Sequence, residues 1–357
     1  MRALVLIQHK RLSAVVAALL LVAGSLLAGC GGSADAPTEV VLVTHDSFAV
    51  SKDVRQAFER DSGLKLRILQ AGDAGATLNQ ALLTAGKPQG DVLFGVDDSL
   101  LSRALAGDVL EPYRSDELDA VTPAFAPPDE RVTPIDRGDV CLNVDRSYFR
   151  SRDLAPPSTL AELALPRYRE LLVVENPATS SPGLSFMLAT IARFGERRWE
   201  EYWRKLRGNG VRVVDGWEEA YTQQFSGASG SPGTRPIVVS YATSPAAEVI
   251  FAGKPLDESP TIALEDGCFR QIEYAGVLRG ARNRDGARLL IDFMLSERFQ
   301  ADVPGSMFVY PVRRGVALPE AFVEHAIVPA KPLSLPPHEI ATNRDRWIAR
   351  WTDIVVR

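Results

Sequence analysis

The sequence predicts an α/β protein of two lobes joined by a pair of strands. Three observations carry this. Apolar runs that end in polar tips alternate with helical patterns, the order that builds a parallel sheet with helices on its faces. Two extended segments, near Arg137–Val144 and Gln271–Leu278, bracket a second α/β unit, as paired hinge strands would. A chain of 357 residues with 46% hydrophobic and 24% charged content is long enough for two domains and ordinary for a globular protein.

The first thirty residues stand outside that fold. Arg2, Lys10 and Arg11 form a positive start, Leu12 to Leu27 is apolar and small, and the stretch ends Leu27-Ala28-Gly29-Cys30. This is a secretory signal pattern, too short for a full membrane span of about 20 residues. Its end is similar to the bacterial lipoprotein signal, which implies cleavage before Cys30 and lipid on that cysteine; an uncleaved anchor helix is the alternative. Residues 31–38 read as a flexible tether. Lobe one is expected over 39–138 together with 275–357, and lobe two over 139–274.

Glu39 to Val43 is the first buried strand, and Thr44-His45-Asp46-Ser47-Phe48 is its polar tip. Ser51 caps the next helix and Gly63 stops it. Leu64–Leu69 is a second strand, Gly72–Ala76 a small-residue loop, Thr77–Ala85 a helix. Asp91–Val96 is a third strand, tipped by Asp97-Asp98, and Ser99–Ala106 a helix. Pro112–Asp136 reads as loop. Further strands are expected at 171–175, 211–214 and 237–241, and helices at 184–194, 199–206 and 285–295. A tail helix over 337–357 carries Trp347 and Trp351. Cys141 and Cys268 lie in apolar extended segments; in an oxidising compartment a disulfide between neighbouring strands fits, two separate buried thiols being the alternative.

Composition and spacing exclude several functions. The net charge of −5 gives no basic footprint for nucleic acid. No phosphate loop or dinucleotide fingerprint is present, so no cofactor is expected. No Cys or His set has metal spacing. Of 4 histidines only His45 sits at a strand tip. His45, Asp46 and Ser47 are consecutive and do not converge as a hydrolytic triad unaided.

A binding site is better supplied. In open α/β sheets, ligands sit at the carboxyl ends of strands. There Trp217 follows a strand and a glycine, and reads as a ligand ring or a helix-start staple. Tyr241 ends another strand, as ligand contact or core. Thr179, Ser180 and Ser181 precede a helix, as an anion site or simple capping. Phe308 and Tyr310 add late aromatic surface. Asp46 and Asp97, at two strand tips, supply negative charge. The set suits a flat, cationic ligand, with or without phosphate.

The order Thr44-His45-Asp46-Ser47-Phe48, Gly95-Val96-Asp97-Asp98, Pro177–Leu184, Gly216-Trp217-Glu218-Glu219-Ala220-Tyr221, Ser240–Ala246 and Val309-Tyr310-Pro311-Val312 resembles the thiamine-binding proteins of bacterial ABC importers, over essentially the whole mature chain. The resemblance implies a type II periplasmic-binding-protein fold and a monomer, lipid-anchored here through Cys30. Such a protein hands thiamine or its phosphates to a permease driven by an ATPase. It implies that Trp217 stacks on the ligand, that Tyr241 and Thr179–Ser181 meet its hydroxyethyl or phosphate end, and that Asp46 and Ser47 line lobe one. The wider group includes ferric-iron and polyamine binders; the iron binders use adjacent tyrosines, and none occur here. The family often has tyrosine where this chain has His45, a tyrosine where it has Ala247 and a tryptophan where it has Phe308, and the family's tryptophan near Asp53 has no counterpart. A charge on His45 near neutral pH is expected to oppose a cationic ligand.

Overall fold

The computed structural model describes residues 37–253 and 256–357; the signal, Cys30 and nearly all of the tether lie outside the described residues. Among the described residues ten strands form one mixed sheet: β1 (Glu39–Thr44), β2 (Lys65–Gln70), β3 (Val92–Asp97), β4 (Leu110–Glu111), β5 (Thr133–Asp145), β6 (Leu172–Glu175), β7 (Arg212–Val214), β8 (Ile237–Tyr241), β9 (Thr261–Leu278) and β10 (Tyr310–Pro311). Their order is β2-β1-β3-β9-β5-β8-β6-β7, with β10 beside β5 and β4 beside β9. β2, β1 and β3 are parallel to one another, as are β8, β6 and β7. Antiparallel β9 and β5 stand between the two parallel groups and pair along most of their length.

Strand alternation sorts the apolar residues onto two faces. Leu42 and Phe94 join one large cluster, with Phe58 and Met294; Val43 and Leu93 join the other, with Phe186 and Trp203. The tail helix Pro337–Val355 closes the second cluster. Trp351 meets Trp203 edge-on at 5.4 Å, and the Trp347 indole donates to Glu196 at 2.8 Å. The tail therefore rests on the middle of the chain. Cys141 and Cys268 are joined in a disulfide, from β5 to β9.

Two boundaries differ from the sequence expectation in ways that matter. The helix expected from Thr77 begins at Ala74, because Asp73 caps it by accepting from the Ala74 amide at 2.6 Å. β5 begins at Thr133, inside the stretch read as loop, since Pro134 lies near a strand end where its missing N–H is tolerated. The helices Ser244–Phe251 and Glu297–Ser306 are further additions.

Candidate functional site

A cavity of about 460 Å³ opens where the tips of β1 and β8 approach β9, within the range of small-molecule sites. Its aromatic wall starts at β7. The chain leaves that strand, forms the short helix Trp217–Glu219 and passes into a π-helical turn over Ala220–Gln224. Such turns recur at functional sites, because the extra residue re-aims side chains. Here the turn places Tyr221 beneath Trp217, with the rings stacked at 5.0 Å and 15°. Trp217 is further fixed at both ends. Its amide donates to Asp73 Oδ2 and its indole Nε1 to Ser240 Oγ, each at 2.9 Å. Tyr241 lies across from it, ring centroids 6.3 Å apart. Gly138 makes room for Tyr241: a Cβ there would come within 2.7 Å of the phenol ring.

The opposite wall comes from the β1 tip. His45 packs on Phe94 at 5.5 Å and is 9% exposed. Gly95 permits this, as a Cβ would stand 2.5 Å from the imidazole. His45 Nδ1 and Ser47 Oγ are 2.9 Å apart, so these two residues do meet, while the Asp46 carboxyl stays out of their contact. Burial pushes the His45 pKa down to about 4. The expected charge near neutral pH is therefore corrected: His45 is neutral there and does not repel a cation. For the same reason it is a weak general base.

Five of the predicted residues border the cavity together: His45, Ser47, Trp217, Tyr241 and Phe308. Phe308 holds a left-handed backbone, φ 57°, and packs against Phe251 at 4.7 Å. Asp97, Thr179, Ser180 and Ser181 lie off the cavity, in a polar seam between the first and middle parts of the chain. Asp97 is fully buried and accepts from Ser99 Oγ at 2.6 Å and from Ser181 Oγ at 2.5 Å. Ser180 caps its own helix through the Gly183 amide. Thr179 gives its hydroxyl to Asp215 O and takes the Ala76 amide on its carbonyl. Asp46 sits beside the cavity, its carboxyl pKa raised by burial. Tyr310 is buried under the Arg137 guanidinium, 4.4 Å from its ring centroid.

Sequence reasoning missed the residues that organise both regions. Asp73 accepts the amides of Ala74, Ser181 and Trp217, and so ties the seam to the aromatic wall; burial raises its pKa to about 6 against the pull of those bonds. Glu248 accepts from the Tyr221 hydroxyl and the Ser229 amide, both at 2.7 Å. Glu273, on β9, borders the cavity 3.9 Å from His45 Nε2. The unusual density of acids at strand tips was visible; their convergence was not.

A sequence profile of bacterial extracellular solute-binding proteins matches residues 88–343. The chain belongs to that family. This solute-binding protein is 30% identical over 336 residues to the thiamine-binding periplasmic protein of Salmonella typhimurium strain LT2, covering 93% of this chain and 98% of the relative. It is 29% identical, over the same length, to that of Escherichia coli strain K12. A solved periplasmic thiamin binding protein superposes with TM-score 0.79 and 27% identity, covering 91% of this chain and 98% of the other. The fold is thus the type II periplasmic-binding-protein fold, as the sequence predicts. These relatives bind solutes for transport and are not enzymes.

Proposed function

We propose that this solute-binding protein captures thiamine in the cavity between Trp217, Tyr241 and His45, and delivers it outside the cytoplasm to an ABC permease. The carrying observation is Trp217, pinned at its amide, its indole nitrogen and one ring face beside an acid-lined cavity. A fixed aromatic face next to negative charge suits a flat cationic ring, through stacking and cation–π attraction. The names of the thiamine-binding relatives support the same ligand. Lobe closure about β5 and β9 is the motion this reading requires. Lipid on Cys30 would keep the receptor at the membrane.

The reading favours thiamine over its phosphates. Ser181 opens the helix whose N-terminus the sequence offers to a phosphate, but its amide already serves the Asp73 carboxyl, and Asp97 takes its hydroxyl. Two buried acids at that position oppose a second anion. Isothermal titration of the mature domain with thiamine, its mono- and diphosphate and ferric ion tests the proposal. Binding of thiamine, with the phosphates weaker, is expected. A coloured ferric complex without thiamine binding would replace it with an iron receptor.

A further inference from the structure

Glu273, which borders the cavity, is paired with Asp136 behind it. They stand directly opposite each other where β9 pairs with β5, and are 7% and 0% exposed. Both Asp136 carboxyl oxygens are buried without a donor, and two ionised carboxyls have none to offer each other. A proton held on Glu273 supplies that donor. His45 Nε2, 3.9 Å from Glu273 Oε1, is likewise buried and without a partner. Among the described residues no cation offsets the pair. Arg137, the next residue along β5, turns to Asp139 at 3.8 Å, and Arg270 binds the same Asp139 at 2.8 Å. A buried carboxyl pair that borders a ligand cavity and lacks a counter-ion is stable only if protonated or if the ligand brings the charge.

We propose that Glu273, backed by Asp136, is the counter-ion of the cationic ligand, and that the proton shared by the two carboxyls leaves as the cation enters. The inference rests on the thiamine reading and extends it to the charge chemistry of the site. The proton passes to solvent and the ligand's positive charge takes its place, so the net charge of the pair and its ligand is the same before and after. The surrounding groups favour a retained proton in the empty site. Burial is the largest influence on Glu273, followed by Asp136; Asp97 and Asp73 add negative charge, and its pKa is well above the ordinary carboxyl range. Burial lifts Asp136 to about 7. Tyr241 stays neutral, its pKa raised by burial and by the same acids, and His45 is neutral above its pKa of about 4. Asp98 faces away, accepting from the Ile272 amide and the Tyr274 hydroxyl.

Calorimetry with thiamine at pH 6 and pH 8, in two buffers of different ionisation enthalpy, reads both parts. The mature wild-type domain should release about one proton per thiamine at pH 6 and almost none at pH 8, and bind about tenfold more weakly at pH 6 than at pH 8. Glu273→Gln should release none and lose the pH dependence. Asp136→Asn, should Glu273→Gln not fold, should move the dependence to lower pH. Thiamine binding in the wild type with no proton release and no pH dependence overturns the inference and leaves the thiamine reading standing. No binding of thiamine at all removes that reading. The pair is then decided on the free protein by carbon NMR titration of its carboxyls. One of the two still protonated at pH 6, and lost in Glu273→Gln, upholds the pair; both ionised by pH 5 overturn it.

Discussion

The cavity and the seam beside it are made from the same kinds of residue and end in opposite states. In the seam the polar groups serve one another: Asp73 takes three amides, Asp97 takes the Ser181 hydroxyl, and Thr179 donates its hydroxyl to Asp215 and accepts the Ala76 amide on its carbonyl. In the cavity part of that capacity is unused. His45 Nε2 has no partner, Glu273 meets no cation, and Trp217 and Tyr241 border open space. A closed network holds two parts of the chain together and has nothing left for a ligand. Unused aromatic faces and an uncompensated acid are what a ligand is recognised by. Position at a strand tip therefore does not distinguish the two; the remaining hydrogen-bonding capacity does.

That contrast can be broken from either side. The largest effect is expected at Asp73. Asp73→Ala strands three amides and should cost about 3 kcal/mol of stability, read from chemical unfolding; because it also frees the Trp217 amide, affinity should fall with it. Trp217→Ala should do the reverse. It should weaken thiamine binding by about 2 kcal/mol or more, measured by calorimetry, with little change in unfolding, since the ring is only half-buried. Equal effects of both changes on both quantities would erase the distinction.

Smaller effects sharpen it. Asp73 and Asp98 have pKa values raised to about 6, and Asp136 to about 7. The folded protein then holds protons that the unfolded chain has released, so stability falls as pH rises from about 4 to about 7. His45, lowered from 6.5 to about 4, acts in the opposite sense, gaining stability as pH rises through that window. Three carboxyls outweigh one imidazole. The ligand-free melting temperature should therefore drop between pH 5 and pH 7.5, by the equivalent of about 2 kcal/mol. A rise over that range would contradict the buried-acid account. Ala247 lies on the cavity wall. Ala247→Tyr should tighten thiamine binding by about 1 kcal/mol if a ring there adds a stacking face; a weaker complex would show that this cavity is already filled to shape.

Much of the framework was legible in the sequence because it is locally encoded. The apolar run of β1 forms a buried strand, Ser51 accepts from the Val54 amide as a cap, and Gly63 takes the left-handed stop at φ 72°. The place of Trp217 beside the cavity was legible because a tryptophan after a strand and a glycine is unusual. Thr179–Ser181 was misplaced for a physical reason. A helix N-terminus with hydroxyls looks like an anion site, and nothing nearby in sequence reveals that Asp73, over a hundred residues earlier, supplies the anion. Glu273 left no signal at all. It is one charge in an extended segment, and only the pairing of β9 with β5 sets it against Asp136 and the cavity. The start of β9 was hidden similarly, as Glu265-Asp266-Gly267 reads like a turn but lies inside the strand.

The central claim is that the cavity beside Trp217 takes a cationic aromatic ring. Titration of thiamine into the mature domain and into Trp217→Ala, at pH 8 where the acids are most ionised, tests it most directly. The account predicts saturable one-to-one binding that weakens at least about 30-fold in the variant, the equivalent of about 2 kcal/mol. Unchanged affinity in a folded Trp217→Ala protein, or no binding by a folded wild type, would contradict it.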